Sequence, residues 1–251
     1  MHVAVVLFRI ESSNDFQLYC QIALKNNTHL SKKTLQAFKN LPLQQVFSQI
    51  YQHQLWGTGQ QPFYSGTGSH HKVIVKHSID SLSSLIKKLQ PDHILDIGCG
   101  DFNIGRQLAA LVPRYTGVDI VKALIDYNRR QFADKHIQFL CIDACQDKLP
   151  AAELVIIRQV LQHLSNRGIT DLMSNLQHHP RLVITEHIPE GSFQANKDKT
   201  AGPDNRLRLR SGVDLQQPPF NLQNYRYEII GVMPEPSGFG GVLQTVLMEK
   251  L

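Results

Sequence analysis

The chain has 251 residues, a formal net charge of +5 and a pI of about 9.0, and this length suits one α/β domain with additional segments. No apolar stretch reaches the roughly 18–20 residues of a membrane span, and the N-terminus lacks the pattern of a signal peptide, so we expect a cytoplasmic protein without a membrane span. The four cysteines include no C-x-x-C pair, so the sequence indicates neither a disulfide framework nor a metal site. The sequence also contains no run of five basic residues, so we do not expect a nucleic-acid partner.

The first 90 residues precede the most regular part of the pattern. Apolar runs at 3–10 and 16–24 flank a polar stretch, which fits either a hairpin or a strand and a helix. Helical spacing over 31–55 is broken by a proline. A Gly/Ser-rich loop at 64–69 and an amphipathic helix at 77–89 complete this region.

The segment Asp96-Ile97-Gly98-Cys99-Gly100 is the most informative feature of the sequence. It predicts a buried strand that ends in a glycine turn opening a helix, an arrangement that presents backbone N–H groups to a nucleotide-like ligand. A dinucleotide fingerprint needs a third glycine where this chain has Asn103, and Asp101 would repel a diphosphate. We therefore predict a site for a ligand without phosphates, which argues against an NAD-dependent oxidoreductase.

Helical and strand patterns alternate after this turn. They predict helices over 106–111, 121–132 and 169–176, and strands over 115–118, 137–142, 154–157 and 182–185. The pattern also predicts strands at 225–232 and 242–248 that form a closing hairpin. Repeated βα units of this length predict a parallel sheet covered by helices on both faces.

The motif around Gly98 resembles the first motif of the class I S-adenosylmethionine (SAM) dependent methyltransferases, an acidic residue followed by G-x-G at the end of the first strand. The resemblance implies SAM as cofactor and a Rossmann-like, doubly wound, mostly parallel seven-stranded sheet with a closing antiparallel C-terminal strand. From residue 50 onward the chain is also similar to a narrower bacterial group, through the segments Leu55-Trp56-Gly57, Ser65-Gly66-Thr67-Gly68-Ser69, Cys99-Gly100-Asp101-Phe102-Asn103, Leu161-Gln162-His163-Leu164-Ser165 and Pro218-Pro219-Phe220.

This resemblance implies a division of the chain into three parts. Residues 1–41 have no assigned role, residues 42–90 form a helical cap over the cofactor, and residues 91–251 form the Rossmann-like SAM-binding catalytic domain. Within that domain, we expect an insertion at 189–220 to close over the substrate.

Several residues are candidates for the cofactor site. Asp119 ends the second predicted strand, where a carboxylate accepts hydrogen bonds from ribose hydroxyls, and a helix N-cap is the alternative. The resemblance places Asp143 near the adenine amino group, with a surface-loop carboxylate as the alternative. It assigns Asp96 to the loop or the cofactor ammonium. The remaining expected contacts are Gly98, Cys99, Gly100, Ile120, Ala144, Arg158, Gln159, and, from the cap, Tyr51, Trp56, Ser65 and Gly66.

Three residues are candidate catalytic groups. His163 follows the fourth predicted strand, and Glu186 and His187 follow the fifth, at the rim where open α/β sheets bind ligands. A neutral imidazole there can accept a proton near pH 7. A structural hydrogen bond, salt bridge or loop cap is the alternative for each of them.

Arg206, Arg208 and Arg210 alternate with leucines. On a strand, their guanidinium groups would point the same way and, together with Arg158, bind phosphate or carboxylate. A solvated strand face is the alternative.

We therefore predict a SAM-dependent methyltransferase that acts on a small-molecule or carbohydrate acceptor. The preferred chemistry is oxygen methylation. An anionic acceptor would be a phosphorylated or nucleotide-linked compound. Methylation of RNA ribose or of protein, and SAM binding without catalysis, are the alternatives.

Overall fold

A computed structural model describes residues 38–236, 238 and 240–251. The strands are β1 (His93–Ile97), β2 (Arg114–Asp119), β3 (Ile137–Cys141), β4 (Leu154–Arg158), β5 (Arg181–Ile188), β6 (Tyr225–Pro234) and β7 (Val242–Lys250). The α-helices are α1 (Leu43–Gln52), α2 (Thr67–His70), α3 (Lys72–Leu89), α4 (Gly105–Ala109), α5 (Lys122–Phe132) and α6 (Asn166–Asn175), and short 3₁₀ turns cover Leu161–His163 and Leu207–Leu209.

The strands form one sheet in the order β3-β2-β1-β4-β5-β7-β6. Strands β1 to β5 are parallel, and β7 runs antiparallel between β5 and β6. The predicted fold class is confirmed, including the antiparallel C-terminal strand. Strand β1 pairs with β2 on one side and β4 on the other, so the strand order reverses there. Open α/β sheets bind ligands at such a switch point, beyond the carboxyl ends of the strands.

The core lies on both faces of this sheet. All five residues of β1 are buried, as expected for a parallel strand covered on both sides. Side chains alternate along the strand, so that Leu95 and Ile97 pack in one apolar cluster and Ile94 packs in the other. The turn that follows β1 is thus anchored in the most buried part of the molecule.

Two local predictions differ from the structure. Residues 67–70 form the short helix α2 within the predicted Gly/Ser-rich loop, and the leucine–arginine alternation at 207–209 forms a 3₁₀ turn instead of a strand. The elements predicted before residue 38 lie outside the described residues. Among the residues that are described, no helix has both the length and the apolar character needed to cross a membrane.

Candidate active site

A cavity of about 800 Å³ lies at the switch point. Its walls come from the carboxyl ends of β1, β2 and β4, from the cap and from the insertion at 189–220. The structure brings together around it every residue that the sequence assigned to the cofactor: Tyr51, Trp56, Ser65, Gly66, Asp96, Gly98, Cys99, Gly100, Asp119, Ile120, Asp143, Ala144, Arg158 and Gln159. Among the other candidates, the cavity is lined by His163, His187 and Arg208 but not by Glu186, Arg206 or Arg210.

The glycine turn after β1 is enclosed by neighbouring side chains. Gly98 and Gly100 have φ angles of 67° and 55°, which other residues adopt only with strain. A Cβ atom on Gly98 would lie 2.5 Å from Val160 Cγ2, and one on Gly100 would lie 2.5 Å from Ser65 Oγ. Both positions therefore require glycine, and the turn lines the cavity.

Two carboxylates at the strand ends give the cavity its electrostatic character. Burial raises the pKa of both Asp96 and Asp119 to about 6. Asp96 accepts a hydrogen bond from the Tyr115 hydroxyl at 2.8 Å. Asp119 accepts from the N–H groups of Gly100 at 3.3 Å and Val121 at 3.0 Å. Val121 is itself the N-cap residue of α5, so Asp119 stabilises the residue before the helix instead of capping the helix, and it also lines the cavity. A ligand with positive charge would favour the ionised form of both carboxyl groups.

Residues 65–69 of the cap are hydrogen-bonded to residues 101–103, and we call these two segments the cap latch. The Ser65 N–H donates to Asp101 Oδ2 at 2.7 Å, and the Asp101 N–H donates to Ser65 Oγ at 2.8 Å. Asn103 Nδ2 donates to the Ser69 carbonyl at 2.7 Å. Burial opposes ionisation of Asp101, but hydrogen bonding to His70 holds the pKa of Asp101 below its usual range.

The cap latch was missed as a functional unit in the sequence. Asp101 entered the sequence argument only as a group that repels phosphate. The signal that could have revealed the latch was the joint occurrence of the two segments Ser65-Gly66-Thr67-Gly68-Ser69 and Cys99-Gly100-Asp101-Phe102-Asn103, whose polar side chains are reciprocal partners.

Arg158, at the end of β4, holds the same cap segment. Its guanidinium donates to the Gly68 carbonyl at 2.9 Å, to Ser69 Oγ and to Gln159 Oε1 at 2.8 Å. The predicted role of Arg158 in gripping an anionic acceptor is therefore corrected, because these contacts fasten the cap to the sheet.

Trp56 joins the cap to the insertion. Its indole Nε1 donates to the Pro203 carbonyl at 2.9 Å, and its ring lies 5.0 Å from that of His163 and 5.3 Å from that of Tyr51. The Tyr51 and Ser65 hydroxyls are hydrogen-bonded at 2.8 Å. Cap, glycine turn and insertion are thus connected across the cavity.

Asp143 follows β3 and lines the cavity. Its Oδ1 accepts from the Cys145 N–H at 3.0 Å, and its Oδ2 accepts from Gln146 Nε2 at 2.9 Å. Both oxygens therefore stabilise the loop that begins at Asp143, which is the alternative the sequence left open.

The 3₁₀ turn at Leu161–His163 is held at both ends by buried charges. Glu186 accepts from the N–H groups of Val160, Leu161 and Gln162 at 2.8–3.1 Å. Arg206, which has no exposed surface, donates to the carbonyls of Leu161 at 2.9 Å and Leu164 at 2.8 Å. An anion at the amino end and a cation at the carboxyl end complement the dipole of the turn.

The two charged residues that hold this turn therefore have roles different from the predicted ones. Glu186 is a buried cap instead of a group facing the acceptor, although burial raises its pKa to about 7. Arg206 binds backbone carbonyls in place of an acceptor anion. The carbonyls of Leu161 and Leu164 lie more than 40 residues earlier in the chain, so no local pattern identifies them.

His163 lines the cavity, but both of its ring nitrogens have partners. Nδ1 lies 3.2 Å from the Gly202 carbonyl and 3.3 Å from the Asp204 carbonyl, and Nε2 lies 3.2 Å from Gln162 Nε2. Burial and the positive charge of Lys199 lower the pKa of His163 to about 3. The structure thus favours the structural alternative for His163 over its predicted role as a base.

His187 also lines the cavity, and its hydrogen bonding differs. Nε2 lies 3.0 Å from the Gly240 carbonyl, which can only accept, so this nitrogen carries the proton. Nδ1 has an Asn205 amide at 3.5 Å, the outer limit of a hydrogen bond. The lone pair on Nδ1 is therefore the better candidate acceptor for an incoming proton, although burial lowers the pKa of His187.

The predicted row of three arginines does not exist as a shared face. Arg206 is buried and Arg208 and Arg210 are exposed, because the 3₁₀ turn at Leu207–Leu209 points successive side chains in different directions. Arg210 also ends that turn with a left-handed backbone, at φ 48°. Arg208 alone of the three lines the cavity.

The match to a known protein family covers strands β1 to β4, whose ends line this cavity. Residues 94–181 match a family model described as a methyltransferase domain. The fold is that of several solved methyltransferases. NodS, an N-methyltransferase of Bradyrhizobium japonicum solved with S-adenosyl-L-homocysteine (SAH), gives a TM-score of 0.58 at 14% identity, over 82% of this chain and 98% of that one. Magnesium protoporphyrin IX methyltransferase of Synechocystis, also with SAH, gives 0.55 at 14% identity, over 84% and 100%.

Curated relatives match over a shorter range. An uncharacterized methyltransferase of Mycobacterium tuberculosis is 30% identical over 89 residues, which is 35% of this chain and 45% of the relative. Malonyl-[acyl-carrier protein] O-methyltransferase of Acetivibrio thermocellus is 32% identical over 80 residues, 31% of this chain and 28% of the relative. The chain thus spans less than half the length of these relatives.

Proposed function

We propose that this protein is a SAM-dependent methyltransferase that methylates an oxygen of a small-molecule or carbohydrate acceptor. The observation that carries the proposal is the meeting of the glycine turn and the Asp119 carboxylate at the switch-point cavity. The family match and the fold of the methyltransferase structures support the same reading.

The residues present fit this cofactor. The Gly98–Gly100 turn lines the cavity, and Asp119 offers a carboxylate suited to ribose hydroxyls. When bound, SAM supplies a methyl group on a positively charged sulfur, which leaves with the electron pair of the methyl bond. Asp96 and Asp119 would offset the positive charge of the ligand, and the cap latch would exclude water from it.

His187 is the proposed general base. A hydroxyl must lose its proton as its oxygen forms a bond to carbon, and Nδ1 of His187 is placed to receive it, because Nε2 donates to Gly240. Enclosure of the cavity by Trp56 and Pro203 favours a small acceptor over a macromolecule. Arg208 supports the binding of an anionic group on the acceptor. Arg158 and Arg206 do not, because both are bound to other partners.

Transfer of a labelled methyl group from SAM to pooled hydroxylated metabolites tests this proposal. We expect His187→Gln to lower kcat by about 100-fold or more, the range of general-base catalysis, with SAM affinity unchanged. His178→Gln, at an exposed histidine, is the matched control. Transfer that survives in His187→Gln would remove His187 from the mechanism, and no transfer to any pool would contradict small-molecule methylation.

A further inference from the structure

His187 and Asn205 place two side-chain nitrogen atoms next to each other on the wall of the cavity. His187 lies in β5 and Asn205 lies in the insertion at 189–220, and both residues line the cavity. Nδ1 of His187 lies 3.5 Å from Nδ2 of Asn205, a separation at the outer limit of a hydrogen bond. The two atoms therefore interact weakly with each other, and a ligand oxygen beside them would be a better partner for both.

Backbone groups determine which of these two atoms accepts a hydrogen bond and which donates one. The Gly240 carbonyl, 3.0 Å from Nε2 of His187, can only accept, so Nε2 carries the proton of the neutral ring and Nδ1 presents a lone pair. The Leu207 N–H donates to Asn205 Oδ1 at 3.0 Å, so the amide oxygen faces Leu207 and the amide nitrogen faces His187. The wall thus presents one acceptor and one donor to the same ligand atom.

This pair of atoms matches a hydroxyl group and does not match the other common methyl acceptors. A hydroxyl donates its proton to one partner and accepts a hydrogen bond from another. A carboxylate has no proton for Nδ1 of His187, and an ammonium group has no lone pair for Nδ2 of Asn205. A hydroxyl oxygen about 2.8 Å from each atom fits the separation of 3.5 Å between them.

We propose that Asn205 selects a neutral hydroxyl as the group that is methylated, by donating a hydrogen bond from Nδ2 to the reacting oxygen. This inference rests on the proposed function and narrows its oxygen methylation to alcohols and phenols, which become methyl ethers. Carboxylates, which would become methyl esters, are rejected.

Every bonding position of the reacting oxygen has a partner in this arrangement. One lone pair accepts from Asn205, and the other forms the bond to the methyl carbon as the carbon–sulfur bond breaks and leaves its electron pair on sulfur. The hydroxyl proton moves to Nδ1 of His187. Burial lowers the pKa of His187, whereas the charge of Glu235 raises it, so Glu235 stabilises the imidazolium that results.

The chemical linkage of the transferred methyl group tests the proposal. Wild-type protein with labelled SAM is given three separate pools of small metabolites: alcohols and phenols, carboxylic acids without hydroxyl groups, and amines without hydroxyl groups. We expect the fastest transfer to the first pool, in ethers that withstand alkali. Equal or faster transfer to the acids, in esters that release methanol in alkali, would overturn the inference and leave oxygen methylation standing. Faster transfer to the amines, or no transfer to any pool, would instead contradict the proposed function.

Asn205→Asp replaces the donor with an acceptor of the same size and keeps an oxygen for the Leu207 N–H. We expect kcat for the hydroxyl acceptor to fall about tenfold or more, because the hydrogen bond to the reacting oxygen is lost, while SAH affinity stays unchanged. Asn224→Asp makes the same change at an exposed position and should alter neither. Unchanged kcat in Asn205→Asp would overturn the inference.

The protonation of His187 gives a further test that needs no variant. Nuclear magnetic resonance of the SAH-bound protein with nitrogen-labelled histidine should report a protonated Nε2 and an unprotonated Nδ1 in His187. A protonated Nδ1 in the neutral ring would overturn the inference, because two donors would then face the hydroxyl.

Discussion

The two sides of the cavity are built in different ways. On the cofactor side, which comprises residues 96–119 and the cap latch, the glycine turn and Asp119 belong to one continuous β1-α4-β2 unit. On the acceptor side, which comprises residues 160–164 and the insertion at 189–220, Arg206 and Asp204 reach His163 and its turn from about 40 residues away. The glycine turn and Asp119 thus depend on local sequence, whereas the cap latch, with contacts across 34–36 residues, and the acceptor side depend on distant contacts.

The family match covers residues 94–181, which contain residues 96–119 of the cofactor side and residues 160–164 of the acceptor side. The match ends before the insertion at 189–220, so this part of the acceptor side lies outside it. The charged side chains on the acceptor side mainly form hydrogen bonds with the backbone and hold it in place. We propose that His187 and Asn205, which line the cavity, contact the acceptor.

Removing Arg206 should have the largest effect. Arg206→Met leaves two buried carbonyls and the nearby Glu186 without their cation, so we expect a loss of about 3–5 kcal/mol in the free energy of unfolding, measured by denaturant titration. Arg208→Met, at an exposed position, is the control and should change it by less than about 0.5 kcal/mol. Equal effects of the two would restore the view that these arginines form one surface row.

Asp119→Asn should break the cofactor side without unfolding it. The amide keeps the size of the side chain and one acceptor oxygen, but loses the charge. A hydrogen bond to a charged group contributes about 1.5–3 kcal/mol, so SAM should bind about 10- to 100-fold more weakly by calorimetry. Asp126→Asn, in the solvent-facing part of α5, is the control. Wild-type affinity in Asp119→Asn would exclude the carboxylate from SAM recognition.

The pH dependence of SAM binding tests whether the buried carboxyl groups of the cofactor side favour a cationic ligand. The pKa values of Asp96 and Asp119 are raised to about 6 and that of Glu186 to about 7, so the folded protein holds these protons more tightly than the unfolded chain. Stability from these groups is therefore present below about pH 4 and is lost as pH rises to about 7. A cationic ligand reverses the trend, and SAM affinity should rise up to about tenfold between pH 5 and pH 7.5. Affinity that falls over this range would contradict this account.

Gly68→Ala tests the cap latch. The added Cβ would lie 2.0 Å from Gln159 Oε1, which Arg158 holds, so the segment must move away from the turn. We expect SAM affinity to fall about five- to tenfold, and the overpacking to cost about 1–3 kcal/mol of stability. Gly168→Ala, in α6, is the matched control, because its Cβ would make ordinary contacts of 3.5 Å or more with Leu164 and Ser165. The latch would be irrelevant to the cofactor if the two variants bound SAM alike.

Trp56→Phe should give the smallest effect. It keeps the ring contacts with Tyr51 and His163 but removes the hydrogen bond to Pro203, which contributes about 1 kcal/mol. Proteolytic cleavage within residues 189–220 should therefore become a few times faster, while SAM affinity changes little. Unchanged cleavage would show that Trp56 does not hold the insertion.

The sequence predicted the sheet, because strand patterns are local signals, and the residues that it assigned to the cofactor line one cavity. The glycines at 98 and 100 and the acid at 119 all line the cavity as expected. It failed for Arg206, whose alternation with leucine fits a strand, because tertiary contacts with residues 161–166 pull the segment into a 3₁₀ turn instead. His163 was predicted as a base because the carbonyls of Gly202 and Asp204, which hold its ring, lie about 40 residues away in the sequence.

Isothermal titration calorimetry of the wild-type protein with SAM, SAH and NAD tests the central claim most directly. The proposed cofactor side predicts saturable one-to-one binding of SAM and SAH and no binding of NAD, because Asn103 replaces the third glycine and Asp101 repels a diphosphate. Binding of NAD, or of neither SAM nor SAH, would contradict the assignment of this cavity to a methyl-donor cofactor.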